Sequence, residues 1–208
     1  MRTILLAILL FVFGYIAFGQ RNGDGPPRPL TKQDARIEER NHNCVRHTFK
    51  SFSSRLKNYP FNLATQIQLV AFTGLMPVRS GDSVYVNKGL PRVGDSICYS
   101  RLAETRILTF SEIDSLTDIL YNYGYGGRVR YGSIDMCYDP HNAILFIDKN
   151  GKTFAFIEIC FMCSRTEESS EKINLGEMCD QKMQMIKNFF KGAGIEYGVT
   201  KGPMIDQN

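Results

Sequence analysis

Asn142-Ala143-Ile144-Leu145-Phe146-Ile147-Asp148-Lys149-Asn150-Gly151-Lys152-Thr153-Phe154-Ala155-Phe156-Ile157-Glu158-Ile159-Cys160-Phe161 is two nearly continuous apolar runs around a polar Asn-Gly centre. Asn-Gly accepts the positive φ angles of a tight turn, so the stretch predicts a β-hairpin over about 142–161. Strands that are apolar on both faces belong in the middle of a sheet, with helices over at least one face. The fold class that follows is α+β: an antiparallel sheet with this hairpin at its centre, packed by about three helices.

Pairing about Asn150-Gly151 makes opposed residue numbers sum to about 301, which brings Cys137 opposite Cys163 or its neighbour. A bridge there, Cys137 to Cys163 or the close variant Cys137 to Cys160, would clamp the open end of the hairpin. Closing that loop would contribute on the order of 3 kcal/mol in the chain-entropy model. Cys179 is then the natural partner for the hairpin cysteine left over, and Cys44 with Cys98 completes a set of six. Six is an even number, as an oxidising compartment favours.

Upstream, Leu30 to Lys57 reads as helical, with Val45, Phe49, Phe52 and Leu56 spaced four, three and four along one face. Asn58-Tyr59-Pro60 ends it. Gln66 to Phe72 alternates as a half-buried strand and Ser83 to Asn87 fits a second, while Gly74, Pro77 and Ser80-Gly81-Asp82 compose a loop between them. Ser96 to Leu108 reads as extended. Thr109-Phe110-Ser111-Glu112 is a capping box opening a helix with Ile113, Leu116, Ile119 and Leu120 on its stripe, ended by the glycines at 124, 126 and 127.

Downstream, Ser164 to Lys172 reads as an exposed loop. Asn174 and Glu177 then cap a last helix with Cys179, Met183, Ile186 and Phe190 on one face, ended by Gly192 and Gly194.

The first residues set the compartment. Arg2 precedes the apolar run Ile4 to Phe13, and Ala17-Phe18-Gly19 is a small-x-small pattern, so residues 1–19 are expected to be a signal peptide cut after Gly19. The apolar run is short of the roughly 20 residues that span a bilayer, which argues against an uncleaved anchor and for no stable membrane span after cleavage. Residues 20–29, rich in Gly and Pro, read as a flexible leader, 30–200 as one globular domain, and 201–208 as a frayed tail, with fraying expected from Tyr197 onward. The expected location is periplasmic or extracellular.

The formal charge of +4 includes Arg2 and is spread over interleaved signs. No nucleic-acid partner is implied, and a monomer with a protein or small-molecule partner is expected. Arg128, Arg130, Lys187 and Lys191 are read as solvated surface.

Two sharper chemistries compete with structural disulfides. Cys160-Phe161-Met162-Cys163 is a C-x-x-C after an apolar strand, the order of thiol-disulfide oxidoreductases, though nothing after it starts an amphipathic helix. The same pair with Cys137 or His141 would make a zinc site, although a second half-site is missing.

Asp139-Pro140-His141 allows His141 to act as base, oriented by Asp135 or Asp139, but Asp-Pro is first of all a turn. His42 and His47, five apart, read as surface. Tyr121, Tyr123 and Tyr125 suit stacking on a ligand or, more commonly, packing. Glu158, in an apolar strand, needs a basic or amide partner if it faces inward.

The runs Cys137-Tyr138-Asp139-Pro140-His141-Asn142-Ala143-Ile144-Leu145-Phe146 and Ile157-Glu158-Ile159-Cys160-Phe161-Met162-Cys163 resemble an uncharacterised family of bacterial exported proteins with a C-x-x-P…A-I-x-F…I-C-F-x-C core. The likeness covers roughly Gln66 to Tyr197. It implies an exported domain and no assigned activity, and His141 stands where similar proteins tend to show Arg. The leading expectation is a non-enzymatic, disulfide-supported binding or envelope-associated module without a cofactor. The alternative is a thiol-disulfide or zinc protein built on Cys137, Cys160 and Cys163.

Overall fold

A computed structural model of the chain describes residues 31–73, 76–80, 83–87, 89–130 and 137–202. The expected signal peptide, the leader, Asp135 and residues 203–208 lie outside them. The described elements run in order α1 (Lys32–His42), β1 (Cys44–Arg46), α2 (Phe52–Arg55), β2 (Gln66–Phe72), β3 (Met76–Ser80), β4 (Ser83–Asn87), β5 (Arg92–Val93) and β6 (Ser96–Ile97). After a 3-10 turn at Tyr99–Arg101 come β7 (Leu102–Ile107), α3 (Phe110–Asn122), β8 (Tyr123–Tyr125), β9 (Asn142–Ile147), β10 (Thr153–Cys160), β11 (Arg165–Glu168) and α4 (Lys182–Gly192).

The main sheet is antiparallel, in the order β11-β10-β9-β2-β7, and β9 and β10 are the predicted hairpin at its middle. Ile144 faces Ile157, Ala143 faces Glu158 and Asn142 faces Ile159, the register expected from the turn. A bulge at Phe154 displaces the pairing by one residue nearer the loop, where Ile147 faces Thr153. Of the two turn residues only Gly151 takes a positive φ, 76°, so the loop is the wider form rather than the two-residue one. Asp148 holds it by accepting the amides of Asn150 at 2.8 Å and Lys152 at 3.0 Å.

Side chains alternate across the sheet. Ile67, Leu69, Ala71, Ile144, Phe146, Ala155, Ile157 and Ile159 pack with Leu116 and Leu120 of α3 and Met183, Ile186 and Phe190 of α4. The other face is smaller: Val70, Phe72, Ala143 and Leu145 meet Leu90, with Ile97, Leu102 and Phe156 at the margin. The sheet is therefore helix-covered on one side and loop-covered on the other.

α3 begins as expected, with Thr109 Oγ1 accepting the Glu112 amide and Glu112 returning to the Thr109 amide. α1 has its own capping box, Thr31 with Asp34, and buries none of its residues.

Several expectations are corrected. The single helix over 30–57 is two, because the main chain after Asn43 has other partners: Val45 pairs with Gly124 in the two-stranded β1–β8 ladder, and the His47 and Thr48 amides donate to Asn122 O. Phe49, placed on an apolar stripe, is 78% exposed. Residues 76–80 form a strand paired with β4 instead of a loop. Residues 165–168 form the edge strand β11, whose polar residues suit an unprotected sheet margin. α4 starts at Lys182, leaving Cys179 outside it, because Asn174 accepts the Gly176 amide and Glu177 the Tyr125 amide rather than capping a helix. Beyond Tyr197 the described chain is held: Val199 is buried, and the Thr200 and Lys201 amides donate to Glu196 O. Among the described residues no helix is long and apolar enough to cross a membrane.

Candidate functional site

Two disulfides are present. Cys137 bonds Cys163, as the hairpin register predicts, and Cys44 bonds Cys179. The expected Cys44–Cys98 pairing is thus corrected, as is a bridge from Cys179 to the remaining hairpin cysteine. β1 lies against β8, and Cys44 N–H donates to Gln181 Oε1 at 2.6 Å, so the Cys44 sulfur arrives beside the start of α4. Cys98 and Cys160 keep their thiols. Cys98 lies with Ser100 Oγ 3.5 Å from its sulfur.

Cys160 ends β10 at 1% exposure, and its sulfur accepts the Cys163 amide at 3.3 Å. Cys137, Cys160 and Cys163, singled out from the sequence, are therefore together. The chain after Cys160 turns into β11, not into the helix start that an oxidoreductase C-x-x-C uses. His141 is drawn elsewhere: its Nδ1 faces Phe72 O at 3.2 Å, its Nε2 lies 3.8 Å from Asp139 Oδ2, and its ring meets Tyr197 edge-on. Among the described residues no group of three or more His, Cys, Asp or Glu is placed to hold a metal.

Two strand residues on the same face of β10, Glu158 and Phe156, organise the loop-covered side. Glu158 is 6% exposed; its Oε1 accepts the Leu90 amide at 3.1 Å and its Oε2 the Tyr138 hydroxyl at 3.1 Å. Burial pushes its carboxyl above the ordinary value, opposed by the Leu90 amide, the Tyr138 hydroxyl and the charge of Arg92. Burial and the neighbouring Glu158 and Glu167 carboxylates likewise push the Tyr138 hydroxyl up. The Arg165 guanidinium covers the Tyr138 ring at 5.0 Å.

Beside this pair a cleft of about 530 Å³ opens over Phe156, with Arg92, Ile97, Lys152, Phe154 and Ser169 around it. The Arg92 guanidinium stands 5.0 Å over the Phe156 ring. Asp95 and Asp148 also reach the rim, but Asp148 is turned into its own loop.

The tyrosine cluster mostly packs. Tyr121 is buried edge-on to Phe61, and Tyr125 donates to Met178 O at 2.9 Å. The two other histidines form surface pairs, His47 with Glu177 at 3.5 Å and His42 with Asp180 at 3.3 Å. Lys182 escaped the sequence reading. It is fully buried, donating to Leu120 O at 2.8 Å and Tyr123 O at 2.7 Å, where α3 ends. Burial lowers its ammonium to about 8, against the pull of Glu177. A lysine in the first turn of a helix looks like surface, and only the arrival of α3's last carbonyls distinguishes it.

Fold and sulfur chemistry together define a disulfide-bridged α+β domain, built on an open antiparallel sheet with a cleft on its loop-covered face. No family model, curated protein or solved structure matches the chain.

Proposed function

We propose that the chain is an exported, non-enzymatic binding domain whose ligand is a small organic anion with a flat apolar portion, seated beside the stacked Arg92 and Phe156. The cleft carries the reading: about 530 Å³ is within the range of small-molecule sites, and its mixed lining sets the apolar Ile97, Phe154 and Phe156 beside the positive charges of Arg92 and Lys152. Asp95 and Asp148 also line the cleft, but the Asp148 carboxylate is turned to its own turn amides and acts on Lys152, which leaves Arg92 as the cation for an anionic ligand to meet. The apolar run after Arg2 and the two bridges support export to the periplasm or beyond.

The test is titration of the isotope-labelled full chain with 3-phenylpropionate, followed by amide and side-chain NMR shifts. Saturable shifts at Arg92, Ile97, Phe156 and Ser169, lost in Phe156→Ala and Arg92→Ala, are expected. Shifts scattered elsewhere, or none at millimolar probe, overturn the reading. Thiol titration with metal analysis separates it from the alternative in which Cys137, Cys160 and Cys163 hold zinc. Two thiols without metal accompany the binding domain, and stoichiometric zinc accompanies the alternative.

A further inference from the structure

Three cysteines come together at the open end of the hairpin, in two oxidation states. Cys137 and Cys163 are bridged, Cys160 is a thiol, and the Cys160 sulfur lies 3.3 Å from the amide nitrogen of the very residue that carries one bridge sulfur. Cys160 and Cys163 are each 1% exposed, whereas Cys137 is exposed. We propose that these three residues are an exchange relay: Cys160 takes the bridge from Cys137, leaving a Cys160–Cys163 disulfide and an exposed Cys137 thiol that is a site for mixed-disulfide modification.

The step is a thiol-disulfide exchange. The Cys160 sulfur forms a bond to Cys163 Sγ, the Cys163–Cys137 bond breaks with its electron pair leaving on Cys137, and the proton given up by Cys160 is balanced by the one that Cys137 takes up. No net oxidation occurs. The released Cys137 thiolate then attacks an external disulfide RSSR, giving Cys137–S–S–R and RS⁻.

Exposure sets the direction. Attack on Cys137 Sγ would expel a thiolate at Cys163, in a site with almost no water, and an unpaired buried charge is costly. Attack on Cys163 Sγ expels the thiolate where water solvates it. The chain beside Cys137 has its own attachments, since Tyr138 donates to Glu158 and stacks under Arg165, so opening the bridge leaves the clamp in place. The relay is independent of any ligand in the cleft.

The test uses the oxidised full chain in a Cys98→Ser background, incubated natively with N-ethylmaleimide and mapped by non-reducing peptide mass spectrometry. Labelled Cys137 together with a Cys160–Cys163 linked peptide is expected. Cys160→Ser should slow Cys137 labelling by at least about tenfold, since the only neighbouring attacking sulfur is gone. Labelling of Cys160 with Cys137 still bridged, or undiminished Cys137 labelling in Cys160→Ser, overturns the relay. With oxidised glutathione as RSSR, Cys137 should carry the glutathionyl group. As a second variant, Cys137→Ser should close the Cys160–Cys163 disulfide under the same treatment, and two persistent thiols at those positions would overturn the proposal.

Discussion

Glu158 Oε1 accepts the main-chain amide of Leu90 at 3.1 Å, which ties the buried middle of β10 to a loop 68 residues earlier in the chain. Because the carboxyl is pushed up by burial from 4.5, its stabilising contribution is fully present below about pH 4.5 and is lost as pH rises through its higher folded value. Glu158→Gln keeps an acceptor for Leu90 and removes the charge. Urea unfolding of both proteins at about pH 4 and about pH 7 should show wild type losing stability relative to the variant at the higher pH. Parallel changes would mean that Glu158 titrates alike in folded and unfolded chains.

Lys182 gives the opposite sign. Its ammonium is lowered from 10.5 to about 8, so its contribution is fully present above about 10.5 and is lost as pH falls through about 8. Wild type should gain stability between about pH 7.5 and 9.5 relative to Lys182→Met. At pH 7 the variant leaves Leu120 O and Tyr123 O without this donor, a loss of about 1–3 kcal/mol offset in part by removing a buried charge.

The two bridges should differ in weight. Cys44 and Cys179 are 135 residues apart and Cys137 and Cys163 are 26 apart. In the chain-entropy model those loops correspond to about 5 and about 3.5 kcal/mol. Paired serine substitutions should therefore lower the thermal midpoint more for Cys44/Cys179 than for Cys137/Cys163, read by calorimetry. A larger drop for the shorter loop would show that the first bridge acts mainly on the folded state.

Gly176 and Gly151 separate backbone conformation from crowding. Both have positive φ, 71° and 76°, but a Cβ on Gly176 would lie 2.3 Å from Leu120 O, while nothing lies within 4 Å of one on Gly151. Gly151→Ala should cost about 1 kcal/mol, the left-handed penalty alone. Gly176→Ala should cost at least about 2 kcal/mol more, since a main-chain oxygen cannot step aside. Equal denaturant midpoints would show that the α3 end yields to the new methyl group.

Thr109→Ala removes the oxygen that accepts the Glu112 amide. A loss of about 1 kcal/mol is expected, measured as a lower urea midpoint with unchanged slope. Retained stability would assign the start of α3 to packing alone.

Legibility followed the range of the interaction. The β9–β10 hairpin, the Gln66–Phe72 strand and the Thr109 capping box are written in residues a few positions apart, and each stands where expected. The Cys137–Cys163 bridge was readable because the hairpin turn sets its register. The 4-3-4 spacing of Val45, Phe49, Phe52 and Leu56 misled, because such spacing records possible faces and not which main-chain partners arrive. Polar β11 gave no apolar signal at all, since an edge strand has little to bury. In the cleft, Phe156 and Lys152 are close in sequence, but Arg92 and Ile97 come from another part of the chain.

Short-range chemistry in the chain is enough to specify an α+β domain around one apolar hairpin, because turn residues, caps and alternation act between near neighbours. The Cys44–Cys179 bridge, the buried Lys182 under the end of α3, the Glu158–Leu90 contact and the free thiol left at Cys160 came only with the packed chain. Each joins groups whose separation in space is set by how the sheet and helices stack, and that stacking depends on the summed burial of the whole core rather than on any local pattern.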